Sequence, residues 1–193
     1  ASDMARNFTG EILEPKITVT VDGKAIDVVW NGMTLTEDVK AAMECSNPYA
    51  NNAQVVIVPA DVADQYQTPE SIAELNIAVE NGSAGEEVIE GLGFANKTEV
   101  ATQADALMEV AAGTSDAAVI DSLMAAAMVG AGTSYPDLVI TDQKLTEELY
   151  GAGCRKDSDL TAKINEILVQ LYKDGKVDEI AAKYGLSDVL VPI

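Results

Sequence analysis

The residues best suited to chemistry are a serine in a glycine-rich turn and an aspartate farther along the chain. Ser83 lies in the segment ENGSAG, residues 80–85, between a short apolar run and a stretch with helical spacing. Glycines let the backbone approach a ligand closely, and the first N–H groups of a helix can hold an anion such as a carboxylate. The ordinary alternative is a strand-to-helix loop in which Ser83 or Asn81 caps the helix. This segment alone is consistent with both.

Asp121 is the acidic counterpart of this turn, because it directly follows the apolar run 116–120. In an open α/β sheet, ligands bind at the carboxyl ends of the strands, so Ser83 and Asp121 are expected on the same edge. The turn suits a carboxylate and the acid suits an ammonium group, a combination that matches a zwitterion such as an α-amino acid. Alternatively, Asp121 merely caps the helix that follows, and the two roles are compatible.

Positioning these two residues requires alternating strands and helices from residue 68 onward. The Pro69 that follows Thr68 marks a helix start. Before this region, a continuous apolar run predicts a buried strand over 54–59. From residue 68, the patterns predict strands over 76–79, 98–101, 116–120 and 137–141 and helices over 85–92, 102–112 and 122–129. Such alternation with short turns implies an α/β fold with a parallel, doubly wound sheet.

The segment before this region has a different pattern. Residues 16–30, KITVTVDGKAIDVVW, predict one hairpin that turns at the Asp-Gly pair 22–23. Thr36 is expected to cap a short helix with two acidic residues in its first turn.

The C-terminal segment predicts a short strand over 150–155 and two helices. The first helix is expected to be capped by Asp157 or Ser158, and the second to end at Gly185 as its C-cap. The apolar side chains that the first helix is expected to turn inward are Leu160, Ile164, Ile167, Leu168 and Leu171.

Composition excludes several classes of function. The 193 residues carry a net charge of −20 and include no histidine. So acidic a surface repels nucleic acid and anionic lipid, and no nucleic-acid partner is expected. The usual general base and the usual imidazole metal ligand are both missing, which argues against an enzyme, although carboxylates and lysines remain. The longest apolar stretch, 123–132, is too short to span a bilayer, and no signal peptide opens the chain, so we expect a cytoplasmic protein or a mature form already cut.

Six segments of the chain occur in the same order in a known family. They are IDVVWNGMTLTED, SNPYANNAQVVIV, NIAVENGSAGEEV, TSDAAVIDSLMAA, LTEELYGAGCRKDSD and INEILVQLYKDGKVDEIAAKYG. On these segments, which cover most of residues 26–185, the chain resembles the extracytoplasmic solute-binding proteins of polar amino-acid ABC transporters. The resemblance implies a type II periplasmic binding protein fold, an extracytoplasmic location and no enzymatic activity. It further implies capture of a small zwitterionic or polar ligand between two lobes for delivery to an ABC permease.

The same resemblance implies how the lobes and the site are divided. Lobe 1 would combine residues 1–57 with 147–193, and lobe 2 would be 58–146, with crossing strands near 55–58 and 147–150. The site residues it implies are Gly32 and Thr34 from lobe 1, Ser83 and the N–H of Ala84 for the ligand carboxylate, and Asp121 for the ammonium group. No cofactor and no metal are implied.

Three departures from the family pattern bear on this site. Family members carry an arginine that grips the ligand carboxylate where this chain has Val39, and neighbouring Lys40 is expected to point elsewhere. Losing such a charge-assisted contact costs about 1.5–3 kcal/mol. Ala84 replaces the usual glycine, and most of the βαβα segment that opens the family's first lobe is missing.

A first lobe without that segment is expected to expose apolar surface and a strand edge. Such surfaces pair with other chains, so we expect a homodimer or a domain-swapped dimer, joined by the hairpin at 16–30. A degenerate relative that has lost amino-acid binding and acts through protein–protein contacts is the second hypothesis. An enzyme on the same scaffold is the third hypothesis. It ranks lowest because no cluster of carboxylates or lysines points to such chemistry.

Cys45 and Cys154 form no CxxC motif, so a metal site built on them is not expected. In the family the two strands that would carry them run close together in one lobe, which makes a disulfide one alternative. The other is two small buried apolar side chains.

Overall fold

The computed structural model describes residues 12–13, 16–17, 20–21 and 24–192, with side chains described from residue 26 onward. These residues divide into two compact units. The central unit is Asn52–Glu147, and the flanking unit combines the chain up to Asn51 with the chain from Glu148. The chain therefore passes between the units after Asn51 and after Glu147.

Short strands dominate the flanking unit, whereas longer strands alternate with helices in the central unit. In chain order, the strands are β1 (Ile12–Leu13), β2 (Lys16–Ile17), β3 (Thr20–Val21), β4 (Lys24–Ala25), β5 (Val28–Val29), β6 (Glu44–Cys45), β7 (Ala50–Asn52), β8 (Gln54–Pro59), β9 (Asn76–Glu80), β10 (Asn96–Val100), β11 (Ala117–Asp121), β12 (Leu138–Lys144), β13 (Glu148–Tyr150) and β14 (Gly153–Cys154). The helices are α1 (Glu37–Ala42), α2 (Pro69–Ile72), α3 (Ala84–Gly91), α4 (Gln103–Ala112), α5 (Ser122–Met128), α6 (Leu160–Lys173) and α7 (Lys176–Tyr184).

The central unit is built on a five-stranded sheet in the order β10-β9-β11-β8-β12. Strands β9, β10 and β11 are parallel, as predicted, but β8 runs antiparallel to both β11 and β12. The prediction of a parallel sheet concerns the strands after residue 68 and gives no direction for β8. A strand buried on both faces is a continuous apolar run whichever way it points, so its sequence does not reveal its direction.

Side-chain alternation along β8 explains why helices cover both faces of this sheet. Val55 and Ile57 pack with residues of α4 and α5, whereas Val56 and Val58 pack with residues of α2 and α3. Successive strand residues point to opposite faces, so each face of β8 needs its own helical layer. The doubly wound arrangement around the sheet follows from this pattern.

The predicted helix starts in the central unit are confirmed. Pro69 is the first residue of α2, and Thr102 caps α4 by accepting a hydrogen bond from the Asp105 N–H at 3.1 Å. Helix α4 ends at Gly113, whose φ of 73° is a left-handed conformation that glycine adopts without strain.

The flanking unit contains a three-stranded antiparallel sheet in the order β5-β14-β6. Two predictions are corrected here. The single strand predicted over 150–155 is two strands, β13 and β14. The single hairpin predicted over 16–30 is also divided: β2 pairs with β1, β3 pairs with β4, and β5 pairs with β14. The Asp-Gly turn at 22–23 lies outside the described residues.

A glycine allows β14 to sit in the middle of this sheet. A Cβ on Gly153 would collide with the Met43 sulfur and would lie 2.9 Å from the Met33 methyl carbon. The two methionines therefore pack directly on the β14 backbone.

The predicted cap of α1 is also confirmed, since Thr36 Oγ1 accepts from the Val39 N–H at 3.1 Å.

Helix α6 turns a narrower apolar face inward than predicted. Ile164 and Leu168 are buried, but Ile167 is 58% exposed, and Leu171 is exposed as well. The N-cap of α6 is Asp159 rather than Asp157 or Ser158. The predicted C-cap of α7, Gly185, is confirmed.

Both cysteines are free thiols in the structure, so the alternative of a disulfide between them is not realised. Although β6 and β14 are neighbours, Cys45 pairs with Gly153 and Cys154 pairs with Glu44. Cys154 is buried, and burial raises the pKa of the half-buried Cys45 thiol.

Among the described residues, no helix has both the length and the apolar character needed to cross a membrane.

Candidate functional site

The first part of the candidate site is the turn between β9 and α3. Ser83 is the N-cap of α3, and its Oγ accepts a hydrogen bond from the Glu86 N–H at 3.1 Å. Its own N–H donates to the Glu80 carbonyl at 3.1 Å, which closes the turn. Of the two capping residues considered from the sequence, the structure selects Ser83. Ala84 begins the helix, where N–H groups lack partners within the helix itself.

An ion pair that sequence reasoning missed balances the charge at this turn. Glu86 accepts a hydrogen bond from the Gly82 N–H, and its other oxygen lies 2.6 Å from Lys97 Nζ. The hydrogen bonds to Glu86, Glu90 and Glu99 raise the pKa of Lys97. Because Lys97 stays protonated, it offsets the negative charge that Glu86 brings to the first turn of α3.

The second part is the carboxylate of Asp121, which is held by three side-chain amides. Asn52 Nδ2 donates to Oδ1 at 2.8 Å, Gln54 Nε2 donates to Oδ1 at 2.7 Å, and Gln103 Nε2 donates to Oδ2 at 2.5 Å. Asp121 occupies the N-cap position of α5, but its side chain makes no capping hydrogen bond. The carboxylate of Asp121 therefore accepts from the three amides and does not cap α5.

Gln54 links the two parts of the candidate site. Its Nε2 binds Asp121, while its Oε1 lies 3.0 Å from where a Cβ on Gly85 would stand, next to Ser83. The glutamine is 1% exposed, so it spans the space between the α3 turn and Asp121 as a buried side chain. Ser83 and Asp121 thus lie on the same edge of the sheet, joined through one side chain.

Sequence reasoning missed Gln54 because it did not assign a direction to β8. In the antiparallel register, Gln54 stands directly opposite Asp121. The first residue of β8 therefore lies at the same edge as the last residue of β11. The signal available in the sequence was two neutral amides, Asn52 and Gln54, at the entrance to a fully apolar run.

The predicted site residues of the flanking unit lie close together on their own. Thr34 pairs with Tyr150 as an isolated bridge, and its Oγ1 donates to Glu148 Oε2 at 2.9 Å. Gly32 is exposed, and a Cβ there would meet the Tyr150 ring at 3.3 Å.

Val39 and Lys40 behave as expected from the sequence. Val39 packs against the apolar cluster of Val29, Met33 and Met43. Lys40 Nζ is 2.9 Å from a carboxylate oxygen of Glu37 on the same helix.

An aromatic pair that sequence reasoning did not single out lies beside Gly32. The rings of Trp30 and Tyr49 are 6.1 Å apart between centroids and tilted by 45°. The Tyr49 hydroxyl donates to the Asn31 carbonyl at 3.1 Å, and burial raises the pKa of Tyr49. Because Trp30 is largely exposed, this pair presents an apolar aromatic face next to the Asn31–Gly32 backbone.

A cavity of about 770 Å³ lies elsewhere in the central unit, at the amino ends of β11 and β12. Its lining includes Asp61, Tyr66, Asp116, Tyr135 and Asp137, and it contains none of the predicted site residues. The opposite edge, where the buried amides converge on Asp121, is therefore the stronger candidate. Within the described ranges, no cluster of three or more acidic or cysteine side chains could hold a metal ion.

Comparison with known proteins places these observations in a family context. Residues 14–187 match the sequence profile of bacterial extracellular solute-binding proteins, family 3. The chain is 29% identical over 163 residues to a probable histidine-binding protein of Neisseria gonorrhoeae, covering 82% of this chain and 60% of the relative. It is 26% identical over 173 residues to the arginine-binding extracellular protein ArtP of Bacillus subtilis, covering 87% and 66%.

A solved structure is similar to this chain as well. A mutant of ArgBP from T. maritima superposes with a TM-score of 0.72 at 34% identity, covering 82% of this chain and 69% of that one. The chain spans 60–66% of the length of the two curated relatives above.

Proposed function

Because the chain belongs to the bacterial extracellular solute-binding proteins of family 3, we propose that it captures an amino acid for an ABC permease. The observation that carries the proposal is the pairing of a helix N-terminus at Ser83 with the carboxylate of Asp121. These two groups, linked by Gln54, offer N–H donors and a negative charge at one sheet edge. That combination suits the carboxylate and the ammonium group of an α-amino acid.

The roles of the individual residues follow from this chemistry. Ser83 and the N–H of Ala84 take the ligand carboxylate, and Asp121 takes the ammonium group. Gly32 and Thr34 supply the contribution of the flanking unit. The two compact units, which divide after Asn51 and after Glu147, correspond in this proposal to the two lobes that the resemblance places at 1–57 with 147–193 and at 58–146.

We propose a basic or polar amino acid as the ligand, with arginine the first to be tried. The relatives named above include an arginine-binding and a probable histidine-binding protein. The sequence of the central unit contains 16 acidic residues and only two lysines, which favours a cationic ligand.

A thermal-shift screen with all the amino acids tests the proposal. Binding at one hundred times the dissociation constant should stabilise the protein by about 2.7 kcal/mol. Asp121→Asn and Ser83→Ala should strongly weaken that response without abolishing it. The matched control Asp137→Asn, an exposed acid that lines the cavity at the other edge, should not.

The second candidate function is a relative that has lost amino-acid binding and acts through protein contacts. The packing of Val39 into an apolar cluster favours it, because no cation stands where the family has its arginine. Absence of stabilisation by any amino acid at millimolar concentration would support this candidate and overturn the first.

We also propose that the chain forms a homodimer, and that the outer faces of α6 and α7 join the copies in place of the segment 16–30 expected from the sequence. Ile167, Ile180 and Tyr184 are all more than half exposed there. Residues 155–193 carry six basic and seven acidic residues, so this part of the surface is nearly neutral. Two copies can approach through it without the charge repulsion that the strongly acidic central unit would impose.

A further inference from the structure

The hydrogen bonds to Asp121 differ between its two oxygens. Oδ1 accepts from Asn52 and Gln54, which are 5% and 1% exposed. In the described part of the chain, Oδ2 accepts from Gln103 only. A carboxylate oxygen offers two lone-pair directions, so the two buried amides fill Oδ1 and leave one direction open on Oδ2.

Gln103 is held against Asp121 by a second hydrogen bond in the reverse sense. Its Oε1 accepts from the Asp121 N–H at 3.0 Å, while its Nε2 donates to Oδ2 at 2.5 Å. The two bonds define the orientation of the amide, because only Oε1 can face the backbone N–H. Gln103 is also the first residue of α4, just after the cap Thr102, so its backbone position is set by the helix start.

We propose, on the premise that the protein binds an amino acid as above, that Gln103 is a positioning residue for the ligand's ammonium group. It fills one lone-pair direction of Oδ2 and holds the carboxylate in one orientation. The ligand ammonium then donates to the remaining direction of Oδ2, whereas Oδ1 serves only to anchor the side chain to Asn52 and Gln54. Gln103 acts through Asp121 and needs no contact with the ligand.

A double-mutant cycle tests this role. Arginine affinity would be measured by isothermal titration calorimetry for the full chain and for Gln103→Leu, Asp121→Asn and the double variant. Removing a hydrogen bond to a charged group should weaken binding about tenfold to a hundredfold in Gln103→Leu. The same substitution should have no further effect on affinity in the Asp121→Asn background, because the group through which it acts is already altered.

Gln67→Leu is the matched control. Gln67 Nε2 donates to the Ala63 carbonyl at 2.6 Å, and its Oε1 accepts from the Asp142 N–H at 3.3 Å, so it makes the same two kinds of bond away from Asp121. The affinity of the Gln67→Leu variant for arginine should match that of the unmodified protein. Amide hydrogen exchange by NMR supplies a ligand-free measurement, since the Asp121 N–H should exchange faster in Gln103→Leu than in the control.

The outcomes separate this inference from the function on which it rests. If the unmodified protein binds no amino acid, the proposed function fails and the role of Gln103 fails with it. If it binds and Gln103→Leu binds equally well, only the role of Gln103 is overturned. Equal losses in both backgrounds, or unchanged exchange at the Asp121 N–H, would also overturn it.

Discussion

At the residue scale, the candidate site depends on a few close contacts around one buried glutamine. Gln54 Nε2 donates to Asp121, and Gln54 Oε1 lies beside Gly85 in the first turn of α3. The space beside its oxygen is small, because a Cβ on Gly85 would lie 3.0 Å from it, 3.2 Å from Val119 Cγ1 and 3.3 Å from Ser83 Oγ. Gly85 therefore keeps the turn close enough for Gln54 to reach across.

The substitution Gly85→Ala tests how tightly the space beside Gln54 is packed. In Gly85→Ala the new methyl group must displace Gln54 or its neighbours by a few tenths of an ångström. We expect overpacking to lower the free energy of unfolding by about 1–3 kcal/mol and amino-acid affinity to fall with it. Urea denaturation and calorimetry measure the two effects.

Gly91→Ala in the same helix is the control, since a Cβ there would meet nothing within 4 Å. That change should stabilise the protein by about 0.4–1 kcal/mol and leave ligand affinity unchanged. Equal stability effects at Gly85 and Gly91 would contradict the tight packing around Gly85.

At the element scale, the two C-terminal helices bury less than their patterns predict. Both helices are amphipathic, yet Ile167 on α6 and Ile180 on α7 are each 58% exposed. Their apolar spacing is typical of a face that packs against another surface. The proposed homodimer would provide that surface.

Charged substitutions on this face should separate association from stability. The double variant Ile167→Lys with Ile180→Lys should be monomeric. Its melting temperature should equal that of the unmodified protein at low concentration, where that protein is also monomeric, because exposed side chains contribute little to folding. Sedimentation velocity and light scattering give the mass. Leu92→Lys, which replaces a 48% exposed leucine of the central unit, should remain a dimer. An unmodified protein that sediments as a monomer at high concentration would rule out the dimer.

At the scale of the whole molecule, charge is unevenly distributed along the sequence. The net charge is −20, and the central unit, with 16 acidic residues and two lysines, contributes most of it. A field of this sign attracts cations over distances comparable to the Debye length, about 10 Å at 0.1 M salt. We therefore expect electrostatic steering of a cationic ligand.

The rate of arginine association should fall severalfold when ionic strength is raised from about 0.01 M to about 0.15 M, as the Debye length shrinks from about 30 Å to about 8 Å. Stopped-flow fluorescence of the single tryptophan, Trp30, can follow the reaction. A neutral zwitterion such as glutamine is the control, because its association should change much less. Equal salt dependence for the two ligands would exclude steering.

The sequence by itself determined the family, the α/β class and most of the central unit. The match over residues 14–187 confirms the predicted membership of the bacterial extracellular solute-binding proteins. The similarity to ArgBP confirms the type II periplasmic binding protein fold. Helix starts at Pro69 and Thr102 were predictable because capping and turn chemistry are local. The truncation of the first lobe, the lobe boundaries, the site residues and the dimer stay predictions.

Only the tertiary structure decided the direction of β8, the division of the predicted hairpin and the exposure of Ile167. It also decided which groups surround Asp121. Asn52, Gln54 and Gln103 lie 69, 67 and 18 positions from Asp121 in the chain, and they meet it only because β8 is antiparallel to β11 and α4 begins at the same edge. Local patterns encode how each element forms, but contacts between distant elements depend on strand order and register, which a single sequence does not specify.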